Sequence, residues 1–323
     1  MGHSLSPSIP REAPVAGFGA ENSVAPQELL VDGPFSHVPI HTRGVRLHAA
    51  VAGNAGDPLM VLVHGAFGGW FDWLEVIGPL AAAGVRVAAI DLRGFGASDK
   101  PPSGYDIRHA TGDIKGVIAA LGAQRAHLVG YGTGGAICWA LAAAYPDKVS
   151  SLVSVAAAHP TDMRRAAACR PWAHVTPLVR SALVRSPGTT FSDRAAVVAG
   201  LDLRENTTQM FHQTASYARQ YRLRRLNGGV AKVSRSIVKT ARLELAPVPP
   251  AWPSTITDCP VLFVRDDLAN WRSLQQRAAR RCGGGLSPLV VPASRNMPHL
   301  ENPAEFTRAV GEFVHGLPPS TAG

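Results

Sequence analysis

The chain has 323 residues, 46% hydrophobic and 17% charged, enough apolar material for a large buried sheet, which excludes disorder of the whole chain. Its four cysteines, Cys138, Cys169, Cys259 and Cys282, are far apart and form no C-x-x-C pair, so neither a zinc site nor a disulfide framework is indicated. The net charge of +9 is concentrated: residues 159–252 hold thirteen Arg and two Lys against five acids, an excess of ten that leaves the remainder at −1.

Residues 1–33 show no helical or strand periodicity and read as a flexible tail. They lack the basic start and apolar run of a secretory signal, and no later segment reaches the ~18 apolar residues of a membrane span. The default expectation is a cytoplasmic address. From His37 two extended runs flank Arg43-Gly44 as a hairpin at a sheet edge would. Short apolar runs at 59–63, 85–90, 127–130 and 152–155 follow, separated by helix-length stretches at 73–83, 106–121 and 134–145. That alternation is the signature of parallel strands with crossover helices, an α/β fold.

After Pro160 the rhythm stops. Arg-rich, helix-like pieces run on to the cluster Pro247, Pro249, Pro250 and Pro253. Strand rhythm returns at 260–264 and 288–291, and residues 303–314 form a final amphipathic helix. The expected organisation is a tail (1–33), a core (34–159), a basic helical cap (160–253), the rest of the core (254–317) and a short tail (318–323). The one-sided charge suits an anionic substrate or a peripheral place on anionic membrane better than nucleic acid, because base-stacking aromatics are sparse there.

Three motifs carry chemistry. His64-Gly65-Ala66-Phe67 follows an apolar strand, and Gly65 lets the chain turn so that the N–H groups of Ala66 and Phe67 point at a developing oxyanion. Asp91-Leu92-Arg93-Gly94-Phe95-Gly96 is polar and glycine-rich directly after a strand, which suits a shaped loop with an internal ion pair. Gly130-Tyr131-Gly132-Thr133-Gly134 has the layout of a nucleophile elbow, a tight strand-to-helix turn that thrusts one side chain into a cleft.

At this order and spacing the motifs resemble the α/β-hydrolases, specifically the epoxide hydrolase and haloalkane dehalogenase branch. The resemblance implies a mostly parallel eight-stranded sheet flanked by helices, an inserted helical cap, and neither cofactor nor metal. At the position where hydrolytic members carry Ser, Cys or Asp, this chain has Gly132, which can form no covalent intermediate. The Thr133 backbone N–H completes the implied oxyanion hole. The implied base is His299, in Met297-Pro298-His299-Leu300-Glu301-Asn302-Pro303 before the last helix. Its implied acid follows strand 260–264 in a shortened loop: Asp267, with Asp266 as the alternate and Asp162 a more distant substitute. Trp70, Tyr131 and the cap tyrosines Tyr217 and Tyr221, four apart on one helix face, are the implied substrate contacts.

Two functions compete. One is an epoxide-hydrolase-like enzyme that acts on a small or lipid-like apolar substrate by non-covalent His299–Asp267 base chemistry; the balance of motifs leans this way. The other is a catalytically inactive ligand-binding or sensing member of the fold. The oligomeric state is not legible.

Overall fold

The computed structural model describes residues 24–169, 179, 191–247, 256–267 and 269–317. Eight strands form one sheet in the order β1-β2-β4-β3-β5-β6-β7-β8. They are β1 (Ser36–Thr42), β2 (Val45–Ala52), β3 (Leu59–Val63), β4 (Arg86–Ile90), β5 (Ala126–Tyr131), β6 (Val149–Val155), β7 (Val261–Val264) and β8 (Leu286–Leu289). β1 and β2 make the expected antiparallel hairpin and β2 runs antiparallel to β4, while every later pairing is parallel. β3 is buried at all five residues, which is why it reads as an unbroken apolar run: in a parallel sheet covered on both faces, alternation has no function.

Between the strands lie α1 (Leu74–Ala82), α2 (Ile107–Ala120) and α3 (Thr133–Ala144). α2 starts where the Asp106 side chain accepts from the His109 N–H. After β6 come α4 (Pro160–Cys169), α5 (Phe191–Asn206), α6 (Ala215–Gly229) and α7 (Val233–Thr240), with 3₁₀ turns at Phe211–Gln213 and Leu243–Leu245. α8 (Ala269–Ala279) separates the last two strands, and a short turn α9 (Pro298–Glu301) leads into α10 (Pro303–His315). None of the described helices is long and apolar enough to cross a membrane.

Two expectations change. The last strand is 286–289, not 288–291: pairing of Val261 with Leu286 fixes its register, and Pro288 is tolerated because β8 is an edge strand. Residues 24–33, assigned above to a flexible tail, are anchored at Val24 and Leu29. Leu29 is fully buried, its carbonyl accepts from Trp70 Nε1 at 3.2 Å, and Val24 bridges to Val230 at the end of α6. This strap ties the inserted helices to the sheet; residues 1–23 lie outside the described part.

Register places the site. Val63 pairs with Gly130, Tyr131 with Val155 and Val155 with Val264, so β3, β5, β6 and β7 end side by side. His64, Gly132, Ala156 and Arg265 therefore open onto one edge, where ligand crevices of open α/β sheets form.

Candidate active site

Gly132 stands between β5 and α3 with φ 51° and ψ −119°, a conformation that L side chains rarely adopt. The strained elbow therefore persists although the side chain it would present is a hydrogen atom. Its N–H bonds the Val155 carbonyl at 3.0 Å, and its carbonyl accepts from Ala136 N at 3.0 Å. Two residues on, a Cβ at Gly134 would run into the Val63 carbonyl, so this close helix-on-strand approach requires glycine. At Gly132, by contrast, there is room: among the described residues a Cβ would meet only Glu244 Oε1, at 3.4 Å. Gly132→Ala is therefore expected to fold and to lose about 1–3 kcal/mol to backbone strain alone. Urea unfolding reads the loss, and a neutral result would mean that the elbow relaxes.

The oxyanion turn is braced from behind. Leu92 N donates to His64 Nε2 at 3.0 Å, so the ring proton sits on Nδ1 and is donated to the Gly65 carbonyl at 2.7 Å. Burial holds His64 below its ordinary pKa, in the neutral form this tautomer needs. Ala66 and Phe67 are buried, and the turn closes with Gly68 N on the Gly65 carbonyl at 3.2 Å. Thr133 begins α3, whose first-turn N–H groups have no intrahelical acceptor and carry the positive end of the helix dipole. The Asp91 loop shapes structure: its carboxylate accepts from Trp70 N, Ala97 N and His48 Nδ1 at 2.9–3.0 Å. Burial would raise the Asp91 pKa, but these donors hold it below the carboxylate range. Arg93 forks onto Asp113 with both bonds at 2.5 Å.

The acid–base pair implied by the resemblance does not assemble. His299 is fully buried, its ring 4.4 Å from the ring of Trp73 and within 6.0 Å of Tyr131 and Phe306. Among the described residues neither ring nitrogen has a hydrogen-bond partner. Burial, helped by the Arg224 charge, pushes its pKa down to about 3. Asp267 points outward with its side chain 73% exposed, 3.5 Å from Arg265 Nη1 and 3.4 Å from Arg272 Nε, which hold it in place of His299. Asp266 is buried but does not reach either nitrogen of His299. Asp162 is engaged by Arg281 at 2.6 Å.

Of the four implied substrate contacts, only Tyr131 sits at the elbow. Trp70 packs among Phe35, His37 and His48 at the hairpin, behind the oxyanion turn. Tyr217 and Tyr221 stack on each other with ring centroids 6.0 Å apart, and Tyr217 lies against Phe211 and His212. Their helix face is used for packing.

Residues passed over in the sequence supply the polar groups instead. Arg224 of α6, fully buried, places Nη2 2.9 Å from Asp72 Oδ1 and Nη1 3.4 Å from Asp202 Oδ2, and donates to the Phe67 carbonyl at 3.3 Å. Burial raises Asp72 to about 6 even against the Arg224 charge. Asn206 bonds Asp202 at 3.1 Å and accepts from Asn296 at 2.9 Å, extending the network to the loop before α9. Glu244, in the 3₁₀ turn after α7, accepts from the Thr133 hydroxyl at 2.7 Å. Signals existed: Glu244 and Asp202 are two of only five acids in the basic segment, and Asp72 interrupts the aromatic run Trp70-Phe71-Asp72-Trp73. No group of three metal-ligating side chains occurs among the described residues.

A sheet with β1 and β2 antiparallel and β3 to β8 parallel, an elbow between β5 and α3 and a tight glycine turn after β3 have the layout of the α/β-hydrolase fold, and a family profile of the alpha/beta hydrolase fold matches residues 58–203. Profile and relatives together support the α/β-hydrolase superfamily and its epoxide-hydrolase-like branch. It is 40% identical over 124 residues to epoxide hydrolase B of Mycobacterium tuberculosis, 37% of this chain and 35% of that protein. Over 127 residues it is 39% identical to the AB hydrolase superfamily protein YfhM of Bacillus subtilis, 39% of this chain and 44% of that protein. These matches span less than half the length of either relative. Epoxide hydrolase A of Mycobacterium thermoresistibile superposes with a TM-score of 0.65 at 24% identity, covering 88% of this chain and 99% of that one. The enol-lactonase of Burkholderia xenovorans LB400 does so with 0.67 at 19%, covering 86% and 100%. At these identities the structures speak for the fold alone.

Proposed function

We propose that this protein is a non-covalent, ligand-binding member of the epoxide-hydrolase-like branch, which holds a small apolar or lipid-like molecule between the elbow and the inserted helices. The observation that carries this reading is the separation of His299 from both aspartates. A general base must reach its proton and hold a pKa near the working pH, and His299 is sealed among aromatic rings with its pKa at about 3. Water activation by a His299–Asp267 pair would require Asp267 to leave Arg265 and Arg272 and swing inward. The binding framework needs no such change: the turn after β3 is braced by His64, and at Gly132 there is room for a Cβ, with Glu244 Oε1 the nearest described atom at 3.4 Å.

The test is a panel of styrene oxide, p-nitrophenyl octanoate, γ-octalactone and octan-1-ol offered to the purified chain. At least one compound is expected to raise the unfolding temperature in proportion to the logarithm of its concentration, with no product by mass spectrometry. Turnover of any panel member that His299→Ala abolishes would restore the enzyme reading.

A further inference from the structure

We infer that His37 and His48 together hold one proton more than two neutral imidazoles, and that this proton makes them a pH-sensitive clamp on the strap, closed while it is present and released as rising pH removes it. The inference follows from counting protons along one chain of contacts. His37 Nε2 lies 3.0 Å from the Val31 carbonyl, His37 Nδ1 lies 2.9 Å from His48 Nε2, and His48 Nδ1 lies 2.9 Å from Asp91 Oδ2. Asp91 also accepts from Trp70 N and Ala97 N, which keeps it ionised. A carbonyl and a carboxylate only accept, so both outer nitrogens, His37 Nε2 and His48 Nδ1, carry a proton. The inner contact then needs one more N–H facing one lone pair, because otherwise two lone pairs meet at 2.9 Å. Three protons on four nitrogens make one imidazolium, balanced by the Asp91 carboxylate.

Burial keeps His37 below its ordinary pKa, so the additional proton belongs on His48, beside the carboxylate. His48 and Asp91 are buried, whereas His37 is half-buried, and both rings line a cavity of about 380 Å³ between the strap and the hairpin. The other charges there are accounted for. Arg46 pairs with Asp99 at 3.2 Å, Lys100 donates to the Gly96 and Ser98 carbonyls at 2.8 Å, and the neutral ring of His64 stands behind Asp91. On the strap side Asp32 attracts His37, and the Glu28 carboxylate accepts from Ala25 N. When the proton leaves, the loss cannot fall at Asp91, where a lone pair would face a buried carboxylate. It falls on His37: either Nε2 presents a lone pair to the Val31 carbonyl, or Nδ1 meets the His48 lone pair and the ring turns away. Both cost the strap its Val31 anchor. The folded clamp therefore binds a proton that the open one does not, and alkali opens it. Because Val24 N donates to the Gly229 carbonyl at 3.2 Å, a loosened strap also frees the end of α6, the helix that carries Arg224.

Long-range proton–nitrogen NMR spectra of the full chain, labelled with ¹⁵N in its histidine rings and assigned with His37→Phe and His48→Gln, count the protons. At pH 6 three of the four nitrogens are expected to be protonated, His37 Nδ1 being the exception, and one proton should leave between pH 6 and pH 10. Over that range hydrogen exchange in residues 24–31, corrected for the intrinsic base-catalysed rate, should rise at least about fivefold with the same midpoint. His37→Phe keeps a ring against Phe35 and Trp70 but cannot hold Val31, so its strap should exchange at the raised rate throughout. In His48→Gln the amide offers an N–H to His37 Nδ1 without an added proton, so the strap should stay protected up to pH 10. If Lys100, whose pKa burial lowers, were the switch, that variant would still respond. Two protonated nitrogens at pH 6, a third proton that stays to pH 10, or strap exchange that does not follow its departure overturns the inference. Should one variant fail to fold, the other assigns the rings, and the proton count with wild-type exchange decides.

Discussion

Arg224→Leu is expected to remove about 3–5 kcal/mol of stability at pH 8, because it takes a guanidinium away from two carboxylates that stay out of water. Arg224 is fully buried on α6 and reaches three separate pieces of chain: Asp72 and the Phe67 carbonyl in the segment after β3, Asp202 of α5, and Met297 Sδ, the last at 3.8 Å. The cost should depend on pH in a definite direction. Burial already raises Asp72 to about 6 with the guanidinium present. Without it the pKa climbs further, so acid protonates Asp72 and relieves the repulsion. The loss measured by urea unfolding should therefore shrink between pH 8 and pH 5. Arg224→Leu with Asp72→Asn should recover part of it, since the pair is replaced and not broken. A loss below about 1 kcal/mol at pH 8 would mean that water reaches the cluster. Because the cluster joins α6 to the oxyanion turn, amide exchange should rise first in α5 and α6 in the Arg224→Leu variant.

The same cluster shows where a sequence stops being legible. Strands β3 to β7 are readable because each is a run of buried apolar residues between turn signals, and burial on both sheet faces leaves no other pattern for them. β8 is misjudged by two residues because an edge strand carries a weak apolar signal and takes its register from a partner far away in sequence. Pro26–Leu29 is lost in a tail because Leu29 is buried by Trp70, a contact across 41 residues. At the site the elbow is legible, since its chemistry is local: five consecutive residues contain the turn. The acid–base pair is not. Whether Asp267 meets His299 depends on two arginines that compete for it, and one of them, Arg272, belongs to α8. Arg224 is visible only as part of a surplus of charge. A count of arginines cannot separate solvated ones from the one that is buried between two aspartates, because that distinction is made by tertiary packing.

Acid should destabilise the protein well before its ordinary carboxylates titrate, and His299 should account for a defined share. Burial pushes His299 down to about 3, and His127 and His159 each to about 4. In the unfolded chain each titrates near the ordinary value of ~6.5. Below that pH the unfolded state binds more protons than the folded state, so stability falls as pH drops from 7 toward 4, by up to ~1.4 kcal/mol per unit for each histidine. Asp72, raised to about 6, works in the opposite direction between its unfolded and folded values, and it offsets one of the three. For His299 alone the loss between pH 7 and pH 5 is about 2 kcal/mol. His299→Phe removes that share. The phenyl ring suits the cluster of Trp73, Tyr131 and Phe306, and it forfeits no hydrogen bond, because neither imidazole nitrogen makes one among the described residues. Urea midpoints at pH 7 and pH 5 should therefore converge by about that amount in the variant, with stability at pH 7 equal to or above wild type. A wild-type slope in His299→Phe would mean that the imidazole reaches solvent and keeps an ordinary pKa. Such a histidine could serve as a base beside Gly132, and the binding-only reading would lose its main support.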